Sequence, residues 1–430
     1  MLEIVVAGAG REEEKIAAMR ARAAQAGAEI DRAVADILED VRRRGLEAVE
    51  EYSLRFDHAK PREISREELR QAADRVQAPL LAALERSACQ IRHYQGRLKE
   101  EIAFGTVLWD SPSGGQVGRT VRPLKRVGVY VPGGRAAYPS SVLMNVIPAK
   151  VAGVEEVVMA TPPTENLNDG VLAAAWVAGV DRCIAVGGAQ GVAALAYGAG
   201  FIPRVDKLVG PGNAYVAAAK RMVYGSLDID MVAGPSEVLV IADDTANPRY
   251  VAADLISQAE HDPLASAVLL TTSLELARAV DGEISRQVET LSRREVIEAS
   301  LRDFGCAIVC TSLADCARLA DEIAPEHLEI VTRDPEGVMA LIHNAGAVFL
   351  GAYTPEPLGD YMAGPDHVLP TSGTARFFSP LSVDAFVKKT SVLRYDREEL
   401  GRVREDIVTL AQAEGLTAHA NSIQVRFEGD

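Results

Sequence analysis

Hydrophobic residues return at helical spacing through the first hundred positions of the chain. Over 31–55 an apolar side chain recurs every three or four residues, which predicts an amphipathic helix. The segment 65–100 has the same spacing and opens on Ser65 and Glu68, a pair that forms a capping box at helix starts. The sequence therefore predicts a helical N-terminal region.

From about residue 126 the pattern changes to short apolar runs that end in glycine or proline turns and alternate with helical stretches. This alternation predicts an α/β fold with parallel sheets covered by helices. Such sheets bind ligands beyond the carboxyl ends of their strands, so we expect functional residues in the strand-to-helix loops. The predicted strands are Val127–Val131, Glu156–Ala160, Cys183–Val186, Lys207–Val209, Val238–Ala242, Ala267–Thr271, Ala307–Cys310, Leu328–Val331 and Ala347–Leu350.

Residues 351–383 do not follow this alternation of strands and helices and contain many prolines, glycines, serines and threonines. A loop of this length in a compact protein is functional or disordered, and the presence of Asp360 and His367 favours a functional one. A charged helix is predicted over 396–414, and the tail beyond it carries one histidine, His419.

Length, charge and cysteine content limit the number of domains, the partners and the cellular compartment that we expect for this chain. At 430 residues the chain is long enough for two or three domains. Its net charge of −16 repels phosphate backbones, so no nucleic-acid partner is expected. The five cysteines contain no C-x-x-C pair, which predicts free thiols and a cytoplasmic protein. The apolar start carries Glu3 and is short, so neither a signal peptide nor a membrane span is predicted.

A first candidate site lies at the end of a predicted helix. Asn247, followed by a proline, is a typical helix start, and Asp262, also followed by a proline, is a typical stop. Gln258 and His261 are three residues apart and share a helix face, so both can reach one metal ion. The alternative is a histidine favoured by the dipole at the helix C-terminus.

A second candidate site combines Glu326 with His327, directly after Pro325. Imidazole titrates near neutral pH and suits proton abstraction, while a neighbouring carboxylate can activate water. The alternative is a pair of solvated residues at a strand edge. Asp360 and His367 offer zinc or manganese ligands, although aspartate beside glycine is also common in turns.

Two glycine-rich loops, 186–191 and 209–213, follow predicted strands and open helices. That position suits a phosphate or a nucleotide. Neither loop matches the dinucleotide fingerprint G-x-G-x-x-G, so a tight strand-to-helix turn is the alternative.

Together these motifs resemble the histidinol dehydrogenase family over residues 120–420, in the family's order. The matching segments are Arg-Val-Gly-Val-Tyr130-Val-Pro-Gly-Gly, Gly-Gly-Ala-Gln190-Gly, Gly-Pro-Gly-Asn213, Ala-Gly-Pro-Ser236-Glu-Val-Leu, Ser-Gln258-Ala-Glu-His261-Asp-Pro, Ala-Pro-Glu326-His327-Leu-Glu, Gly-Asp360-Tyr, Leu-Pro-Thr-Ser-Gly-Thr-Ala-Arg376-Phe and Glu414-Gly-Leu-Thr-Ala-His419.

The resemblance implies one zinc ion per subunit of a homodimer, and His419 would reach the zinc from the partner subunit. The implied zinc ligands are Gln258, His261, Asp360 and His419. The implied contacts to the substrate L-histidinol are Ser236, Gln258, His261, His327, Asp360, His367, Glu414 and His419. NAD⁺ would bind along Tyr130, Gln190 and Asn213.

The implied reaction is the last step of histidine biosynthesis, in which L-histidinol is oxidised to L-histidine through L-histidinal with two NAD⁺. His327 would be the general base for alcohol oxidation, and Glu326 would activate the water that adds to the aldehyde. Asp366, where asparagine or serine is commoner in the family, would add a negative charge beside His367.

The resemblance also implies two Rossmann-like parallel-sheet domains with incomplete dinucleotide motifs. We expect an NAD-binding domain over 126–236, inserted into a domain built from 29–125 and 237–380 that carries the metal and the acid/base pair. Segments 1–28 and 381–430 would be dimerisation segments, the second a helical arm.

Three other functions stay open at this point. A relative in the same superfamily could oxidise another small alcohol, such as a sulfonated diol. A zinc hydrolase would use Glu326 to activate zinc-bound water and would need no nucleotide. A metal-binding scaffold without catalysis would tolerate changes at both Glu326 and His327.

Overall fold

The computed structural model describes residues 1–8, 10–21, 28–133, 138–163, 167–232 and 234–428. These residues form two six-stranded sheets, one three-stranded sheet and the helices that cover them. The predicted α/β class with parallel sheets is confirmed.

Sheet I is parallel throughout. Its strands, in spatial order, are β1 (Glu3–Val6), β12 (Gly305–Val309), β11 (Ser266–Thr271), β10 (Glu237–Ala242), β13 (His327–Val331) and β14 (Ala347–Leu350). Every residue of β10 and β11 is buried, because apolar clusters pack on both faces of the sheet.

Sheet II is parallel except at one edge strand, β2, which pairs antiparallel with β7. Its strands, in spatial order, are β2 (Arg62–Ile64), β7 (Arg182–Ala185), β6 (Glu156–Thr161), β5 (Arg126–Tyr130), β8 (Lys207–Val209) and β9 (Asp228–Ile229). Sheet III is antiparallel and consists of β15 (Val387–Arg394), β4 (Gln116–Pro123) and β3 (Gly105–Asp110).

Helices connect and cover the strands. They are α1 (Arg11–Ala21), α2 (Ala28–Arg44), α3 (Leu46–Asp57), α4 (Arg66–Arg75), α5 (Ala78–Glu100), α6 (Pro139–Ala152), α7 (Asp169–Ala178), α8 (Gly188–Tyr197), α9 (Ala214–Val223), α10 (Pro248–Ala259), α11 (Leu274–Val288), α12 (Arg294–Phe304), α13 (Leu313–Ile323), α14 (Pro335–Met339), α15 (Glu356–Tyr361), α16 (Arg397–Ala413) and α17 (Thr417–Gln424).

All nine predicted strands are confirmed, each within two residues of its predicted ends. The predicted capping box of Ser65 and Glu68 is present at the start of α4. The long helical segments are each divided in two. Gly45, at φ +62°, separates α2 from α3, and Gln77, followed two residues later by a proline, separates α4 from α5.

The N-terminal helices cover sheet II, whereas the predicted division placed 29–125 with 237–380. Helices α2 and α3 pack with α8 and α9 in one apolar cluster. Helices α4 and α5 pack with α6 and α7 on the other side, and β2 extends the sheet. An amphipathic stripe shows that a helix covers a core but does not identify which core.

The segment 1–28 was expected to serve as a dimerisation segment. Within it, β1 pairs in parallel with β12 at the edge of sheet I, and Ile16 and Met19 of α1 are buried in the core of that sheet. In the C-terminal segment 381–430, the strand β15 precedes the helices. Apart from a short 3-10 helix over Val383–Phe386, that segment is helical only from Arg397 onward, where α16 begins within one residue of its predicted start.

No helix in the described ranges has both the length and the apolar character that crossing a membrane requires.

Candidate active site

Gln258 and His261 come from the C-terminal end of α10. Asn247 caps the helix through its side chain and Pro248 opens it, as predicted. The backbone N–H of His261 donates to the carbonyl of Gln258 at 3.2 Å, which continues the last turn. Gln258 is 1% exposed and its Oε1 has no hydrogen-bond partner. A buried amide oxygen without a donor costs free energy unless a ligand satisfies it.

Asp360 lies on the short helix α15 and reaches the same place. Ligand atoms of His261, Glu356 and Asp360 all lie within 4.8 Å of one another. Atoms so close can bind a single ion, and their oxygen and nitrogen chemistry fits zinc or another divalent metal. The sequence reasoning missed Glu356, although its position four residues before Asp360 places both on one helix face.

Glu326 and His327 stand at the amino end of β13 and are both buried. The backbone of Glu237 on β10 holds both of them. Its N–H donates to Glu326 Oε2 at 2.9 Å, and its carbonyl lies 3.0 Å from His327 Nδ1. A carbonyl can only accept, so Nδ1 carries the proton of the neutral ring. His327 Nε2 is buried without a partner and is the atom free to accept a proton.

Burial changes the proton affinity of this pair in opposite directions. It lowers the pKa of His327 to about 4, a shift that the charge of Asp360 opposes. It raises the pKa of Glu326 well above its usual range, and the charges of Glu237, Glu356 and Asp360 add to that rise. Both effects follow from the cost of a charge in an apolar setting.

A cavity of about 150 Å³ opens beside these residues. It is lined by several apolar residues as well as polar ones, and the ring centroid of one of them, Phe349, lies 6.0 Å from that of His327. His367 Nδ1 lies 3.7 Å from Asp360 Oδ1 and has no hydrogen-bond partner. The polar residues lining the cavity include His327, Asp360, Asp366 and His367.

Asp366 was expected to place a negative charge beside His367. Its Oδ1 accepts from the N–H of Val368 at 2.8 Å, and its Oδ2 is buried without a partner. Burial raises the pKa of Asp366 well above its usual range, which favours the uncharged acid. The expected charge is therefore reduced by the burial of the carboxyl group.

The site lies at the amino edge of sheet I, and the expectation that it would follow the carboxyl ends of the strands is wrong for this sheet. His327 begins β13, and Ser236 immediately precedes β10. Helix α10 leaves the carboxyl end of β10 and returns toward the start of β11. The end of α10 therefore carries Gln258 and His261 back to the amino edge.

The three residues expected to bind NAD⁺ do lie at the carboxyl edge of sheet II. Tyr130 ends β5, Gln190 lies in the first turn of α8 after β7, and Asn213 caps α9 after β8. Each side chain also has an internal role. Tyr130 Oη accepts from the N–H of Gly188, Gln190 Nε2 donates to Asp57 Oδ2, and Asn213 Oδ1 accepts from the first turn of α9.

Residues 366–372 interact with groups near both the amino edge of sheet I and the carboxyl edge of sheet II. The backbone N–H of Ser372 donates to Glu237 Oε1 at 3.2 Å. At the other end of the segment, the charge of Asp230 contributes to the raised pKa of Asp366. Asp230 in turn accepts from the N–H of Gly210 in the second glycine loop. The segment therefore bonds to Glu237, beside the candidate base, and interacts electrostatically with Asp230, which holds the second glycine loop.

Glu414 and His419 are not brought to the cluster within a single chain. Glu414 follows α16 and His419 lies in α17, and both are exposed. In the part of the chain that the structure describes, the cluster of potential metal ligands contains His261, Glu356 and Asp360 but not His419.

The sequence was compared with protein families and with proteins of known function. The family model described as histidinol dehydrogenase matches residues 20–427. The chain belongs to the histidinol dehydrogenase family. It is 51% identical to histidinol dehydrogenase of Bacillus cereus over 99% of each chain, and 50% identical to that of Clostridium acetobutylicum over 100% of this chain and 99% of that one.

The fold is also similar to that of a solved member of the family. The crystal structure of histidinol dehydrogenase from Elizabethkingia anophelis superposes with a TM-score of 0.91 at 33% identity, over 99% of this chain and 98% of that chain. The resemblance seen in the sequence motifs is thus confirmed, and the chain is an oxidoreductase enzyme.

Proposed function

We propose that the chain oxidises L-histidinol to L-histidine through L-histidinal, with two NAD⁺ and one zinc ion, as the last step of histidine biosynthesis. The observation that carries this proposal is the unpaired Nε2 of His327 on the wall of a cavity that also contains Asp360. A potential base and one potential metal ligand thus line the same cavity.

The overall change removes four electrons from the alcohol as two hydrides and adds one water. NAD⁺ would supply the hydride acceptor, and zinc would hold the substrate by its imidazole and amino nitrogens and so position the alcohol. Gln258, His261 and Asp360 would hold the ion. Their fit is supported by the buried, unsatisfied Oε1 of Gln258 and by the ligand atoms of His261 and Asp360, which lie within 4.8 Å of each other.

His327 would take the alcohol proton at Nε2. Its Nδ1–H remains fixed on the Glu237 carbonyl, so the ring holds one tautomer and one orientation. A pKa of about 4 keeps the ring neutral at pH 7 and therefore able to accept a proton.

Glu326 would remove a proton from the water that adds to the aldehyde. Its Oε2 is fixed by the N–H of Glu237, 2.9 Å away. Only the ionised form can take this proton, and in that form a carboxylate with a raised pKa is a stronger base than an exposed one. Because the backbone of Glu237 bonds to both side chains, the distance between His327 and Glu326 is fixed.

The remaining expected substrate contacts belong to the same proposal. Ser236 stands beside Glu237, and His367 lines the cavity. Glu414 and His419 would come from the partner subunit of a homodimer, which is consistent with their exposure in a single chain.

The deciding measurement is the amount of NADH formed per L-histidinol consumed, with zinc-loaded and chelator-treated protein compared side by side. Two NADH per substrate, lost on chelation and restored by zinc, is the expected result. A zinc hydrolase would form no NADH, and a relative specific for another alcohol would form none from histidinol.

A further inference from the structure

Asp57 is a half-buried carboxylate at the end of α3, to which the proposed function assigns no role. Its Oδ2 accepts from Gln190 Nε2 at 3.1 Å, and Gln190 is only 1% exposed. Helix α3 packs with α8, which carries Gln190, in one apolar cluster. The N-terminal region of the chain therefore contacts one of the residues expected to bind NAD⁺.

Asp57 stands where a carboxylate is unfavourable. Helix α3 ends at this residue because His58 adopts φ +58°, and the C-terminal end of a helix favours positive charge. Burial raises the pKa of Asp57, although the hydrogen bond from Gln190 opposes the rise. Such a placement costs stability and is typical of functional residues.

The contact with Asp57 determines which end of the Gln190 amide faces the glycine loop. An ionised carboxylate can only accept hydrogen bonds, so the amide turns its Nε2 toward Asp57. Its Oε1 then lies over Gly188, where a Cβ would come within 2.5 Å of that oxygen. Gly188, at φ +62°, leaves this space open. Within the ranges that the structure describes, no hydrogen-bond donor reaches Gln190 Oε1.

Tyr130 belongs to the same group of contacts. Its Oη accepts from the N–H of Gly188 at 3.0 Å. Burial raises the pKa of Tyr130 to about 12, and the charge of Asp57 adds to the rise. The carboxylate of Asp57 is therefore close to two of the three residues expected to bind NAD⁺, and it bonds directly to one of them.

We propose that Asp57 is a positioning residue for NAD⁺, which fixes the Gln190 amide so that its Oε1 accepts a hydrogen bond from the cofactor. NAD⁺ has matching donors in its ribose hydroxyl groups and in its amino and amide N–H groups. Asp57 acts on the cofactor only through this amide. The inference rests on the proposed function, because it requires NAD⁺ to bind along Tyr130, Gln190 and Asn213.

The test is a double-mutant cycle in the full-length, zinc-loaded chain, with Asp57→Ala, Gln190→Ala and the double variant. The KM for NAD⁺, the KM for L-histidinol and kcat are obtained from NADH formation, and calorimetry gives the Kd of NAD⁺. The matched control is Glu50→Ala, which removes a carboxylate of the same helix that pairs with Lys60 at the surface.

Asp57→Ala should raise the KM and the Kd for NAD⁺ about tenfold, as expected for the loss of a hydrogen bond to a charged group. The KM for L-histidinol and kcat should change less than about twofold, whereas a general structural defect would change them too. In the Gln190→Ala background, Asp57→Ala should have no further effect, and Glu50→Ala alone should behave as the wild type. An unchanged affinity for NAD⁺ in Asp57→Ala, or an effect that adds fully to that of Gln190→Ala, would overturn the proposal.

If circular dichroism shows that a variant does not fold, a crystal structure of the wild-type chain with NAD⁺ decides. A donor of NAD⁺ within about 3.2 Å of Gln190 Oε1, with Nε2 still bonded to Asp57, supports the proposal. An Oε1 without a contact to NAD⁺ refutes it. A wild-type chain that neither binds NAD⁺ nor forms NADH would refute the proposed function and this role with it. A wild-type chain that forms NADH, with the same affinity for NAD⁺ when Asp57 is replaced, would refute the positioning role alone.

Discussion

His327 shows how one backbone contact and burial together prepare a side chain for proton transfer. The Glu237 carbonyl fixes the proton on Nδ1, and the apolar surroundings disfavour the charged ring. The side chain is only 5% exposed, so the preference for the neutral ring affects the free energy of unfolding as well as proton transfer.

Metal-free protein should therefore lose stability in acid through His327. The folded pKa of about 4 lies below the usual value of 6.5, so the unfolded chain takes up a proton first as the pH falls. The stabilisation is complete above pH 6.5 and is lost progressively toward pH 4. Between pH 7.5 and pH 5 the wild type should lose about 2 kcal/mol more free energy of unfolding than His327→Asn.

Urea unfolding at the two pH values measures this difference. The control is His93→Asn, which changes an exposed histidine on α5 and should behave as the wild type. Equal losses in the wild type and in His327→Asn would show that the ring is not held neutral.

Glu326→Gln should slow oxidation of L-histidinal more than oxidation of L-histidinol. Glutamine can still accept from the Glu237 N–H but cannot take a proton from water, and loss of a general base costs about 10²-fold. NADH formation from each substrate is measured separately, with the exposed Glu336→Gln as control. Equal slowing of the two half-reactions would contradict the assigned role.

At the scale of elements, the second glycine loop is fixed by a buried ion pair that sequence patterns do not show. Lys220 on α9 pairs with Asp230, and the two side chains are 4% and 2% exposed. Lys220 Nζ also donates to the carbonyl of Gly210 at 2.8 Å, and Asp230 Oδ2 accepts from the N–H of Gly210. The pair thus holds both backbone groups of Gly210, at φ +109°, where a side chain would clash with the Tyr130 carbonyl.

Asp230→Asn should destabilise the protein by about 3–5 kcal/mol, because it leaves the buried Lys220 charge without a counter-ion. The control lies on the same helix. Arg221 pairs with Asp31 at the surface, and Asp31→Asn should cost less than about 1 kcal/mol. Urea midpoints measure both, and similar small losses would show that the buried pair does not stabilise the loop.

At the scale of the whole molecule, the proposed site requires a second copy of the chain. His419 is exposed on α17, so His419→Ala should fold normally yet lose zinc and turnover. Mixing it with Glu326→Gln tests the sharing directly. In a mixed dimer one site combines an intact Glu326 with an intact His419 from the partner, while the other site has both defects.

Refolding an equal mixture of these two impaired variants should give about a quarter of wild-type formation of L-histidine, since half of the dimers are mixed and one site in two is intact. Refolding each variant alone is the control and should give only the residual activity of that variant. A mixture that stays inactive, although light scattering shows dimers, would place His419 outside the partner's site.

The sequence by itself determined the local elements and, through its motifs, the family. Apolar runs identified all nine predicted strands, the capping box identified the start of α4, and Asn247 with Pro248 identified the start of α10. These features depend on neighbours along the chain, whose hydrogen bonds and periodicity are written in a few consecutive residues.

Only the tertiary structure decided which elements pack together and which groups become buried. The pairing of β1 with β12 joins residues about 300 positions apart, and the helices α2–α5 cover sheet II instead of sheet I. The place of the site at the amino edge of sheet I, the inclusion of Glu356 and the opposite pKa shifts of Glu326 and His327 depend on the same packing. The physical reason is that desolvation and ligand distance are set by atoms distant in sequence, and no local pattern encodes them.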